Sequence, residues 1–167
     1  VKTLTINSSL NQIRRTLGVM NFMKDRYKAD PDFVELARTT VRRAGAASTE
    51  AEHEAIRRFV KSSIDYRQDP DGVEYLQDPL YLMTVSRCGD CDDMAMLASL
   101  LLSCLGHECY AVGVRWAGDR TASHAVCWDS TAKLVCDPVS DFPGELWPGP
   151  GYVVDEYVMG RQLWTNT

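Results

Sequence analysis

The spacing of hydrophobic positions changes along the chain. Leu10, Ile13, Leu17, Met20 and Met23 recur every three or four residues, which predicts a helix from Leu10 to about Tyr27 with Ser9 as its N-cap. Asp30-Pro31 opens a second helical stretch through Phe33, Leu36, Ala37 and Val41, and Gly45 ends it. Thr49 with Glu52 reads as a capping box for a third, through Ile56, Phe59, Val60 and Ile64. Asp65 to Pro79 carries Asp-Pro-Asp-Gly and Asp-Pro and reads as a loop. From Asp92 to Leu105 the run DDMAMLASLLLSCL is apolar on nearly every side after its first turn, the pattern of a buried helix, and Gly106 stops it. Beyond it come three β-rich runs, at 109–116, 122–128 and 133–136, with Asp129-Ser130-Thr131 as a turn between the last two. The tail DFPGELWPGPGYVV is too rich in Pro and Gly to predict regular structure, and Trp147, Tyr152 and Trp164 are expected to pack it on the body. The class that follows is α+β: a buried central helix on an antiparallel β-sheet, preceded by an N-terminal helical region.

At 167 residues the expectation is a single domain, divided into a helical region (1–63), a core (64–140) and a tail (141–167), with no repeat and no linker. The formal charge of -5 argues against nucleic acid, whose phosphates need a basic surface, and the paired arginines lie on mixed helix faces. No apolar stretch approaches the roughly 18 residues of a membrane span, and VKTLTINSSLNQIRR lacks the basic-then-apolar order of a signal peptide. Six cysteines are too few for a disulfide scaffold, so a reducing compartment with mostly buried, inert thiols is expected.

The segment SRCGDCDDMAML holds the chemistry to be decided. Cys88 and Cys91 have metal-clip spacing, but His53, His107 and His124 fall singly along the chain, so no second ligand pair is in view and no metal or other cofactor is expected. A redox pair would want a preceding β-strand, where loop and helix are read instead. Asp69 and Asp71 lack the third oxygen of a calcium loop and read as a turn. Asp90, as N-cap, places Cys91 in the first turn of the buried helix, where unpaired N–H groups favour thiolate. Asp92 and Asp93 oppose that, so a cation must help, and an imidazolium is the usual one.

With Ser130-Thr131 as the hairpin tip, Asp129 pairs with Ala132 and His124 falls directly opposite Asp137, close enough for an imidazole–carboxylate hydrogen bond. A one-residue slip would spoil this register. Alone, each residue has a plainer reading: a strand histidine, a turn aspartate, a buried thiol. Together they form a nucleophile, base and orienter.

The words IDYRQDPDGVEYLQDP, GDCDDMAMLASLLLSCLG, SHAVCW and LVCDP, from about Ile64 to Pro138, resemble the transglutaminase-like superfamily of cysteine enzymes, related to papain-like peptidases, and above all its small bacterial and phage members. The resemblance implies a papain/transglutaminase-like core. It also implies Cys91 as nucleophile, His124 as base and Asp137 as its orienter, acting on amide bonds as a peptidase, amidase or acyltransferase through a thioester. Gln77 and Tyr81 are candidates for the second oxyanion donor beside the Cys91 N–H. The upstream Trp that some members use has no clear counterpart, and Cys88 is not a catalytic position. The partner expected is a peptide or other amide-bearing substrate, with neither nucleic acid nor membrane, in the cytoplasm or a virion. The alternative is a non-catalytic structural or interaction protein, such as a phage virion component, that meets a protein partner through its N-terminal helices or aromatic tail.

Overall fold

A computed structural model describes residues 3–7, 12–71, 73–116, 124–140, 152–159 and 162–164. Three helices come first: α1 (Gln12–Tyr27), α2 (Pro31–Ala44) and α3 (Thr49–Ser63). The α2 boundaries are local chemistry. Asp30 Oδ1 accepts from the backbone N–H of Asp32 and Phe33, and Gly45, at φ 66°, turns into the left-handed region that only glycine enters freely. For α3 the cap is Ser48, which accepts from Ala51 N at 3.2 Å, so the helix starts one residue before the Thr49–Glu52 box would have it. Ser9 and Leu10 lie outside the described residues.

The central helix is α4 (Cys91–Cys104), capped by Asp90. Every residue from Asp93 to Leu102 is buried, because β-strands cover one side of the helix while α1, α2 and α3 cover the others. Each fully buried Leu or Met there contributes roughly 2 kcal/mol, which is why the sequence needs apolar residues on every side. None of the described helices is long and apolar enough to cross a membrane.

Among the described residues the main sheet has five antiparallel strands. In chain order these are β5 (Cys109–Trp116), β6 (His124–Asp129), β7 (Leu134–Cys136), β8 (Tyr152–Met159) and β9 (Gln162–Trp164), and in space they lie β7-β6-β5-β8-β9. Two short pairs flank it. β1 (Thr3–Asn7) runs antiparallel to β3 (Val73–Gln77), and β2 (Asp65–Tyr66) runs parallel to β4 (Cys88–Gly89). Between β3 and β4 lie one helical turn, Pro79–Tyr81, and a π-helical turn, Leu82–Ser86.

Two expectations are corrected here. The stretch 65–79 contains strands, because β1 and the Cys88–Gly89 backbone give it partners that its turn-rich composition does not reveal. Residues 152–159 and 162–164 likewise form β8 and β9, since the edge of β5 offers a ladder that the sequence of this segment does not reveal; Trp147 lies outside the described residues.

Helix and sheet are also joined by buried polar groups. The Asn21 amide donates to Ala111 O at 3.1 Å and accepts from Ala111 N at 3.0 Å, completing a β5 peptide as a neighbouring strand would. Lys24, with 4% of its surface exposed, donates to Cys109 O at 2.8 Å, and burial lowers its pKa.

Candidate active site

Cys91 is the first residue of α4. Asp90 Oδ1 accepts from Asp92 N at 3.1 Å, fixing the helix start, and Cys91 packs against a buried cluster that includes Ala95, Ala111 and Ala125. The Ala125 backbone N–H faces that sulfur and favours its thiolate. The sulfur therefore reaches β6 one residue from His124, where a bulge between Gly113 and Val114 interrupts the β5–β8 pairing opposite.

His124 and Asp137 meet: Nε2 lies 2.9 Å from Oδ2. The β6–β7 register is Cys127↔Cys136, Trp128↔Val135 and Asp129↔Leu134, two residues away from the predicted one, because the turn occupies residues 130–133. A two-residue shift keeps side chains on the same face, so Asp137 approaches His124 diagonally from just beyond the ladder. Asp137 Oδ1 accepts from Val139 N at 3.0 Å and Ser140 N at 3.3 Å, and this turn over Pro138 aims Oδ2 at the imidazole. The turn is gripped from α3: Arg57 Nη1 donates to Ser140 O at 2.8 Å, and Lys61 Nζ to Val139 O at 3.3 Å. With Nε2 turned to Asp137, Nδ1 is the nitrogen left to meet a thiol.

No hydrogen bond joins the Cys91 sulfur to His124. The thiol instead donates to Asp92 Oδ1 at 3.5 Å. Burial, then Asp92 and Asp90, hold its pKa far above the ordinary cysteine range, so the thiol is neutral. The helix N-terminus does not overcome burial and these carboxylates.

Gln77 does not have a donor to spare. Its Nε2 gives one hydrogen bond to Cys88 O and one to Asp93 Oδ2, both at 2.7 Å, while its Oε1 accepts from Ser86 Oγ at 2.5 Å. An amide NH₂ has only two hydrogens, so Gln77 is a strut for the Ser86–Gly89 loop rather than an oxyanion donor. Asp93 completes the strut by accepting from Gln77 N at 2.8 Å. Gly89 is required beside it: a Cβ there would stand 2.5 Å from Asp93 Oδ2. Tyr81 closes the helical turn at Pro79–Tyr81.

Sequence reading missed an acidic cluster beside the cysteine. Carboxylate oxygens of Asp69, Glu74 and Asp90 lie within 4.8 Å of one another. Burial, then Asp69 and Glu74, raise the Asp90 pKa to about 6. Burial and a hydrogen bond with Glu74 raise that of Asp92 well above its usual value. Asp69, read from the sequence as a turn residue together with Asp71, belongs to this cluster; the other oxygens come from β3 and from the cap of α4. No spacing rule connects those three segments.

Residues 34–135 match the profile of the transglutaminase-like superfamily. Calcium-bound LapG from Legionella pneumophila has a similar structure, with a TM-score of 0.61 at 16% identity over 89% of this chain and 87% of that one. A candidate cysteine protease from Cytophaga hutchinsonii gives a TM-score of 0.49 at 16% identity, over 81% of this chain and 48% of that one. Among curated proteins no sequence matches.

Proposed function

The chain belongs to the transglutaminase-like superfamily, and on that premise we propose that it is a cysteine enzyme acting on amide bonds through Cys91, His124 and Asp137. The observation that carries this reading is the 2.9 Å His124–Asp137 contact at the strand end where the Cys91 sulfur meets the Ala125 N–H.

His124 Nδ1 takes the thiol proton as the sulfur bonds to the amide carbon. The imidazolium, stabilised by Asp137, then gives that proton to the amine as the carbon–nitrogen bond breaks. Water or a second amine resolves the thioester, with His124 again as base. The oxyanion is held by the Cys91 N–H at the helix start, with Tyr81 as the candidate second donor.

The acidic cluster bears on the first step, because its member Asp90 adds, with Asp92, to burial in keeping the proton on sulfur. LapG is described as calcium-bound, and the residues here fit such an ion: three carboxylates converge, at least one with a raised pKa, which is the donor set of a hard cation. Calcium held by Asp69, Glu74 and Asp90 would offset their charge and lower the thiol pKa. Without such an offset Asp90 and Asp92 favour the neutral thiol, the state a non-catalytic protein with this fold would share.

Two measurements separate the readings: iodoacetamide labelling of Cys91 at neutral pH with and without calcium, and turnover of general peptidase, amidase and transamidase substrates. Faster labelling in calcium, lost in His124→Ala, with turnover absent in Cys91→Ala, supports the enzyme. Labelling no faster than a free thiol in either condition, with no turnover, leaves the structural protein.

A further inference from the structure

The geometry points to a second centre, independent of the proposed chemistry at Cys91: a buried zinc site formed by His53, His107, Cys109 and Asp129. These residues come from α3, the segment before β5, the start of β5 and the end of β6. Asp129 is five positions from His124 along β6, roughly 17 Å at the usual strand rise, so the two sites occupy opposite ends of one strand.

Cys109 and Asp129 are directly paired across β5 and β6, and with His53 their ligand atoms lie within 4.8 Å of one another. His53 Nε2 is 3.2 Å from Asp129 Oδ2, and His107 Nδ1 is 3.1 Å from that same oxygen. His53 is 4% exposed and Asp129 1%.

The outer edge of each ring fixes its tautomer. His53 Nδ1 lies 2.8 Å from Thr49 O, a group that can only accept, so Nδ1 carries the hydrogen. His107 Nε2 lies 2.8 Å from Glu52 Oε2, which likewise calls for the hydrogen on Nε2. Both inner nitrogens are then lone pairs beside one carboxylate oxygen, so three acceptors crowd together. A proton would not resolve this. Neither His53 Nε2 nor Asp129 Oδ2 has a hydrogen-bond partner despite their short separation, because the ring does not point its N–H direction at the oxygen. Asp129 Oδ1 is separately satisfied by Thr131 N and Ala132 N, both at 2.9 Å, so the carboxylate is held with Oδ2 facing the two rings.

A metal ion bound by lone pairs answers all of these features. One sulfur, one imidazole nitrogen and one carboxylate oxygen converge, and His107 Nδ1, beside the same carboxylate, is the nearest group to complete a set of four that suits zinc better than calcium or magnesium; the burial of the three fits a closed structural centre. The contacts behind the ligands fit too: histidine ligands usually donate their other nitrogen to a carbonyl or carboxylate, as His53 does to Thr49 and His107 to Glu52. Binding displaces the Cys109 thiol proton to solvent. The ion would tie α3 to the sheet, at the other end of the helix face whose Arg57 and Lys61 hold the turn after Asp137.

The test uses the full chain, stripped of metal by a chelator under reducing conditions and titrated with cobalt(II). The expected result is saturation at one equivalent, with tetrahedral ligand-field bands and a sulfur-to-cobalt charge-transfer band that zinc abolishes and excess calcium leaves unchanged. The charge-transfer band persists in Cys91→Ala and disappears in Cys109→Ser. His107→Gln, which keeps the thiol, shifts the ligand-field bands and weakens binding at least tenfold. A wild-type protein that takes up no cobalt overturns the assignment whatever the variants do, as does a band that survives Cys109→Ser and vanishes in Cys91→Ala.

Discussion

His124 Nε2 and Asp137 Oδ2 lie 2.9 Å apart although their strands hold them out of direct opposition, and the turn over Pro138 supplies the difference. If that contact sets the ring orientation and stabilises the imidazolium, Asp137→Ala lowers turnover on the order of 10²-fold or more. Asp137→Asn keeps an acceptor for the Val139 and Ser140 N–H groups and loses less fold stability than Asp137→Ala. Parallel kinetics and thermal melts check this; equal turnover for Asp137→Ala and the parent would remove Asp137 from the mechanism.

Gly89→Ala sets a methyl group against Asp93, whose Cβ and Oδ2 would lie 2.8 Å and 2.5 Å away. Asp93 is gripped by Gln77 and cannot retreat without breaking that strut. The expected cost is about 1–3 kcal/mol, read as a lower denaturation midpoint at unchanged m-value. A midpoint equal to the parent's would mean that the Ser86–Gly89 loop yields freely.

Burial raises the Asp93 pKa to about 7, against the opposing pull of the Gln77 hydrogen bonds. The folded protein therefore holds this proton in a range where the unfolded chain, at about 4, has lost it. The sign follows: the contribution is fully present below about pH 4 and is lost as pH rises towards 7, by up to about 1.4 kcal/mol per pH unit. Urea denaturation at several pH values checks it, with Asp93→Asn expected to flatten the slope. An unchanged slope in that variant assigns the dependence to another group.

Asn21 satisfies both the N–H and the C=O of Ala111 in a buried setting. Asn21→Leu fills similar space and leaves two orphaned backbone groups, an expected loss of about 2–4 kcal/mol. Hydrogen exchange at the Ala111 amide should accelerate more than at its neighbours in β5. Uniform exchange across the strand would show that water or a backbone shift replaces the amide.

What could be read from the sequence was short-ranged. Asp30 and Gly45 bound α2 through their own backbone neighbours, and the run from Met94 to Leu102 is apolar on all sides whatever surrounds it. What could not be read depended on distant partners. β3 is a strand because β1 pairs with it, and β8 because the edge of β5 was open. The His124–Asp137 proximity was reachable from the sequence because a two-residue error in register preserves the face of each side chain. Gln77 looked available because its spacing says nothing of Cys88 O or Asp93. His53 and His107 looked isolated because only the packing of α3 against the sheet brings their rings to 4.8 Å.

The strand order β7-β6-β5-β8-β9 has a consequence for biosynthesis. During translation β5 emerges well before the segment that will lie along its other side, so a nascent chain carries a bare ladder of amides and carbonyls next to its most apolar helix. Such an edge recruits any extended peptide within reach. Ribosome stalling or proteolysis ahead of residue 152 would therefore yield a sticky fragment rather than a smaller working protein.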